Sequence, residues 1–132
     1  MRILFLHEVG YLEKPIFEMH EFPEHLANMG HTVGFLDFLE RQTPKSGKRF
    51  DTQITGRVLQ NVSLHLFSQG SWSLGILGRL IAVFKFPFFF RKVLKHFAPE
   101  LVVSFSVPTS GWQAAIICRT LRIPFVFRAL DV

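Results

Sequence analysis

Between Arg2 and His7 the chain reads RILFLH, a near-continuous apolar run with no polar alternation. A strand with one wet face alternates apolar and polar residues. An unbroken short run suits a strand covered on both sides, as in a parallel sheet whose crossover connections lay helices over both faces. The run therefore predicts a central strand. Further runs of the same kind follow at Thr32 to Phe38 (TVGFLDF), Asn61 to Phe67, Leu101 to Phe105 and from Phe125 onward. Alternation of such runs with helix-forming stretches predicts an α/β fold built on a parallel sheet.

The stretches between the runs carry the helices. Met19, Phe22, Leu26 and Met29 recur at spacings of three, four and three, one helical stripe, and Gly30 supplies a C-terminal stop. Pro23 lies inside that stripe, and proline is best tolerated in a first turn, so the helix is expected to start near Phe22. Residues Leu39 to Thr55 show no periodicity and read as a surface connection. From Leu74 to Phe97 an apolar segment is followed by a helix that Pro87 can open. On a helical wheel Phe90, Val93, Leu94 and Phe97 share one arc, and Arg91, Lys92, Lys95 and His96 the opposite one. A last helix is expected from Trp112 to Leu121. At 132 residues, 48% of them hydrophobic and 19% charged, the chain has material for one folded domain.

Charge is unevenly distributed. Residues 1 to 51 carry six bases and eight acids, whereas residues 52 to 99 carry Arg57, Arg79, Lys85, Arg91, Lys92 and Lys95 and no acid. That basic middle favours an anionic partner such as lipid headgroups, nucleic acid or a phosphate-bearing ligand. Nucleic acid ranks last, because the aromatic residues are almost all Phe within apolar runs and no recognised nucleic-acid motif is present. Residues 85 to 96 invite an anionic membrane surface, with Phe88 and Phe89 entering the interface and Lys85, Arg91, Lys92 and Lys95 near the headgroups. The competing reading is a helix packed on the sheet with a solvated basic face. Arg79, Lys85 and Pro87 interrupt the apolar stretch and argue against a spanning helix. The short opening run, followed at once by His7 and Glu8, argues against a secretory leader, so the expected location is cytoplasmic, with a peripheral place at the inner membrane surface kept open.

Cys118 is the single cysteine and sits in the apolar run AAIIC, which predicts a buried, inert thiol and excludes an internal disulfide. The six histidines show no metal-ligand spacing, so neither a metal nor another cofactor is expected.

Taken in order, RILFLH, the stripe ending HLANMGHTVGFLDF, FAPELVVSFS and LRIPFVFRALDV resemble the N-terminal domain of family 4 type (group 1) glycosyltransferases of the GT-B fold. The resemblance implies a Rossmann-like parallel sheet with helices on both faces and an acceptor-binding cleft at the carboxyl ends of the strands. It also implies metal-independent sugar transfer and a second domain for the nucleotide sugar, which these residues do not contain; the N-terminal domain itself reads as incomplete. Activity of this chain alone is therefore not expected, and a nucleotide sugar would bind only with a C-terminal half or a partner chain. Carried over by position, the acceptor-side residues are His7, Gly10 and Tyr11 after the first strand, Ser106, Thr109 and Ser110 in the loop after Phe105, and Arg128. Where many members have a histidine at the end of the last strand this chain has Leu130, and Asp131 follows it. Asp131 can orient an acceptor hydroxyl or take its proton, or it can cap the next helix. Arg128, inside an apolar strand, needs either an intramolecular carboxylate or a bound anion. A non-catalytic Rossmann-like module that docks to phosphate ligands or to a membrane is the alternative function. Uncovered strand edges and helix faces would also favour self-association.

Overall fold

The computed structural model describes residues 1–7, 10–12, 18–38, 49–69, 76–105 and 110–129. Six strands and three helices follow in the order β1 (Arg2–Leu6), α1 (Glu18–Asn28), β2 (Thr32–Phe38), β3 (Arg49–Thr55), β4 (Ser63–Gln69), α2 (Ile76–Phe97), β5 (Leu101–Phe105), α3 (Gly111–Thr120) and β6 (Phe125–Arg128). They form one sheet of order β3-β4-β2-β1-β5-β6. All neighbours pair parallel except β3, which runs antiparallel to β4 at one edge. The fold is thus a small α/β domain with a mostly parallel, mixed sheet in a Rossmann-like arrangement.

The run RILFLH is interior, as its composition requires, and it feeds two cores. Leu4 and Leu6 point to one face, where Leu36, Phe67 and Val102 meet Phe86, Phe90, Val93 and Phe97 of α2 and Ala114, Ile117 and Cys118 of α3. Ile3 and Phe5 point to the other, where Val33, Phe35, Leu64 and Leu66 meet Met19 of α1 and Tyr11. Successive side chains of a strand alternate in direction, so an unbroken apolar run is what two covered faces demand. Cys118 lies fully buried, and burial pushes its thiol up to about 12.

Three expectations are corrected. The segment read as a surface connection ends in β3. Its pattern was hidden because a bulge at Asp51 (φ 50°) breaks the register between Arg49 and Thr52. Without it Phe50 and Ile54, four residues apart, would share a face; with it Phe50 packs on the α2 side and Ile54 on the α1 side. The second correction concerns α2, which is one helix of 22 residues running through Pro87. A proline removes the bond to the carbonyl four residues earlier, here that of Val83. The side-chain amide of Gln113 in α3 donates to that carbonyl at 3.4 Å, so a neighbouring helix supplies the missing donor.

The third correction is the start and the buried face of α1. The helix begins at Glu18, a turn before Phe22, with Pro23 inside it. Met19, His20, Pro23 and Glu24 are buried, whereas Phe22 (45% exposed) and Met29 (72%) of the expected stripe face solvent.

Candidate functional site

The chain leaves β1 through α1 to β2 on one side, and later crosses by α2 to β5 on the other side of β1. Connections therefore diverge between β1 and β5, and in open parallel sheets ligands collect in the crevice outside the carboxyl ends at such a reversal. The pairings Leu6 with Ser104 and Phe105 with Arg128 bring the carboxyl ends of β1, β5 and β6 to the same edge of the sheet.

Of the residues expected there, His7 lies just past β1, nearly buried. Its backbone N–H donates to the carbonyl of Leu36 at 3.0 Å, and its ring tilts over Phe105 with centroids 5.8 Å apart. Ser110 directly precedes α3 and is 2% exposed, yet its side chain makes no capping hydrogen bond. Ser104, fully buried on β5, shares this condition: neither hydroxyl has a hydrogen-bond partner among the described residues. An orphaned buried polar group costs about 1–3 kcal/mol, so two near one edge mark a place where a ligand or water can complete the bonding. Ser104 carried no sequence signal, standing in an apolar strand like any tolerated serine.

Arg128 ends β6. Its guanidinium pairs with the Glu18 carboxylate and sits over the rings of Phe22 and Phe105, 5.3 and 5.7 Å from their centroids. Of the two partners expected for it, the protein supplies the carboxylate. Glu8, Ser106, Thr109 and Asp131 lie outside the described residues.

Gly10 is buried, and Tyr11 corrects an expectation. Rather than lining an acceptor cleft, Tyr11 is fully buried at the centre of a polar network. Its N–H donates to Asp37 Oδ2 at 2.7 Å, and Ser68 Oγ donates to Asp37 Oδ1 at 2.5 Å. Its carbonyl lies 2.6 Å from His20 Nε2 and accepts from Arg57 at 2.8 Å. A carbonyl can only accept, so His20 carries its proton on Nε2; the 3.1 Å approach of Arg57 to that nitrogen is then two donors sharing one acceptor. The Tyr11 hydroxyl donates to Glu24 Oε1 at 2.5 Å.

Glu24 receives three further donors, the backbone N–H groups of Arg57 at 2.6 Å and of Val58 and Leu59 at 2.7 Å. Successive N–H groups converging on one anion form a nest, and here the protein's own carboxylate fills it. Burial pushes Glu24 upward, but these four hydrogen bonds outweigh it and hold the carboxyl below its ordinary range. Tyr11 shifts the other way, raised by burial first and then by its bond to Glu24. The turn into the nest leaves no room for a side chain at Gly56, where a Cβ would lie 2.3 Å from the Leu59 carbonyl oxygen and 2.8 Å from Glu24 Oε2. Sequence reasoning missed Glu24, His20, Asp37, Ser68 and Arg57. Of these only Asp37, a charge inside the apolar run TVGFLDF, offered a signal that could have found it.

On α2, Lys85, Arg91, Lys92 and Lys95 are exposed, as is Phe88 at 74%. Phe89, expected beside it, is 6% exposed and belongs to the core. Neighbouring helical residues point about 100° apart. With Phe86, Phe90 and Phe97 already turned to the sheet, that step carries Phe89 inward. Lys92 Nζ lies 4.7 Å from the centroid of Phe50.

An open cavity of about 360 Å³ lies at the opposite, amino edge of the sheet, lined by residues including Asn28, His31, Asn61, Ser63 and His65. Among the described residues no group of three or more His, Cys, Asp or Glu is placed to hold a metal ion, and no helix is long and apolar enough to cross a membrane. No family model matches the chain, and no curated protein matches it.

Proposed function

We propose that this chain is a Rossmann-like binding module that takes a phosphate-bearing ligand at the carboxyl edge between β1 and β5. The observation that carries the reading is a pair of buried hydroxyls without partners among the described residues, Ser104 near the carboxyl end of β5 and Ser110 directly before α3. The first N–H groups of a helix lack intrahelical acceptors and favour an anion, and a serine that does not cap them leaves them open to one.

Trp112, in the first turn of α3 and 58% exposed, is a local reporter once Trp72 is replaced by Phe. Titration with inorganic phosphate and with nucleoside mono- and diphosphates should change its emission saturably. Ser110→Ala should weaken the binding at least fivefold while leaving stability unchanged or higher, since it removes an orphaned polar group. A flat titration with every phosphate ligand, or a Ser110→Ala protein that binds as tightly as the parent, sinks the reading.

A narrower version makes this edge the acceptor side of a glycosyltransferase acting from a nucleotide sugar. It is favoured by His7 and Arg128 lying at the carboxyl ends of β1 and β6, on either side of β5, with Ser110 at the start of the helix that follows β5. Sugar transfer needs the leaving phosphate stabilised and both substrates aligned, which one wall of a cleft does not do. The expected result is no turnover by this chain with a panel of nucleotide sugars and lipid or sugar acceptors. Restoration of transfer by a separately made nucleotide-sugar domain would support the narrower version, and clear transfer by the chain alone would refute the need for a second wall.

A further inference from the structure

The outer side of α2 is divided lengthwise. Ile76 (81% exposed), Leu80 (50%), Phe84 (75%) and Phe88 (74%) stand four residues apart in a single solvent-facing stripe, with Leu77 (58%) beside it. At 100° per residue the same arc continues into Arg91 and Lys95, with Lys85 and Lys92 on its flank, all exposed. The helix contains no acidic residue, and nor does any position from 52 to 99. The face thus begins as large apolar side chains and ends as cations, over a helix about 30 Å long.

We propose that this face of α2 docks the protein in-plane on an anionic lipid surface. Phe84, Phe88, Leu80 and Ile76 enter the headgroup–acyl boundary, and Arg91 and Lys95 contact the phosphates. Charge complementarity selects this occupant. A bilayer carrying anionic lipid offers hydrocarbon just beneath negative charge, so both halves of the face are satisfied together. A second copy of the chain does not match in either orientation. Parallel pairing of two α2 helices sets Arg91 and Lys95 against their own kind, and antiparallel pairing, which lays those cations over the partner's phenylalanine rings, still offers them no carboxylate, because the helix has none. The inference does not depend on what the β1–β5 edge binds.

The test is flotation of the intact chain with phosphatidylcholine vesicles, with and without phosphatidylglycerol. Capture is expected only with phosphatidylglycerol and should weaken as salt rises. The double variant Arg91→Glu/Lys95→Glu should lose at least tenfold in partitioning, and Phe84→Ser/Phe88→Ser a similar amount. All four positions are exposed, so circular dichroism should show unchanged helix content. Ile76→Ser/Leu80→Ser repeats the apolar test should the first pair fold poorly. Equal capture by neutral vesicles, no capture, or capture indifferent to these changes overturns the proposal. So does a dimer, seen by light scattering, that Phe84→Ser/Phe88→Ser dissolves without any lipid effect.

Discussion

Helix α1 buries a histidine and a glutamate while leaving Phe22 and Met29 in solvent. Helix α2, on the opposite face of the same sheet, buries Phe86, Phe89, Phe90, Val93, Leu94 and Phe97 and still shows Phe84 and Phe88 to water. The first helix is held by directed bonds. Glu24 fits only where the N–H groups of Arg57, Val58 and Leu59 converge, so the network sets the helix's rotation against the sheet as well as its stability. The second is held by apolar area, which has no preferred direction, and its surplus apolar side chains remain outside. Hydrophobicity alone therefore describes the packing of α2 and misdescribes that of α1.

Substitutions can break this contrast, and the largest effect belongs to α2. Phe90→Ala, at a fully buried ring stacked on Phe86 with centroids 5.2 Å apart, should cost about 3–5 kcal/mol in urea unfolding. On α1 the counterpart is Glu24→Gln, which leaves buried donors facing an amide and should cost about 3 kcal/mol. It should also flatten the acid limb of the stability curve. Because Glu24 is held below its ordinary value, its contribution is fully present above the unfolded glutamate pKa of about 4.3 and is lost as pH falls through the folded one. A parent and a Glu24→Gln protein with parallel acid limbs would show that the network does not hold this charge. Gly56→Ala should follow at about 1–3 kcal/mol, since the new methyl meets the Leu59 carbonyl oxygen and Glu24 Oε2. Tyr11→Phe should cost about 1 kcal/mol, the net value of one hydrogen bond plus part of what Glu24 loses. Smallest is Phe84→Ser, at most about 0.5 kcal/mol, because that ring is already in solvent. If Phe84→Ser destabilised as much as Phe90→Ala, α2 would have to be packed in solution against something other than this sheet.

How far the sequence carried depended on the kind of interaction. The interior place of β1, the strands Leu101–Phe105 and Thr32–Phe38, and the two arcs of the later part of α2 were legible because apolar periodicity reports burial directly. The strand β3 was not, because the bulge at Asp51 shifts the parity on which a period-two pattern relies. The continuation of α2 through Pro87 was not, because the donor for Val83 comes from Gln113, thirty residues on. Tyr11 looked like a loop residue beside a cleft, and its burial follows from Asp37, Glu24 and Arg57, partners that no local pattern connects to it. At the candidate site, His7 and Ser110 were singled out only from their positions after strands, whereas Ser104 needed the fold to show that its hydroxyl is enclosed.

The central position of β1 also bears on how the chain assembles. One of its neighbours, β5, lies far from it along the sequence: Ile3 pairs with Leu101, and the N–H of Arg2 reaches Glu100 over 98 positions. At synthesis rates of about 5–20 residues per second, β1 waits roughly 5–20 s before that flank exists, with Leu4 and Leu6 uncovered meanwhile. Closing so long a loop is also slow for an isolated chain. Pairing of β1 with β2, about thirty residues away, can begin much earlier, so the half of the sheet carrying the Tyr11–Glu24 network should take shape before the β5–β6 half joins it.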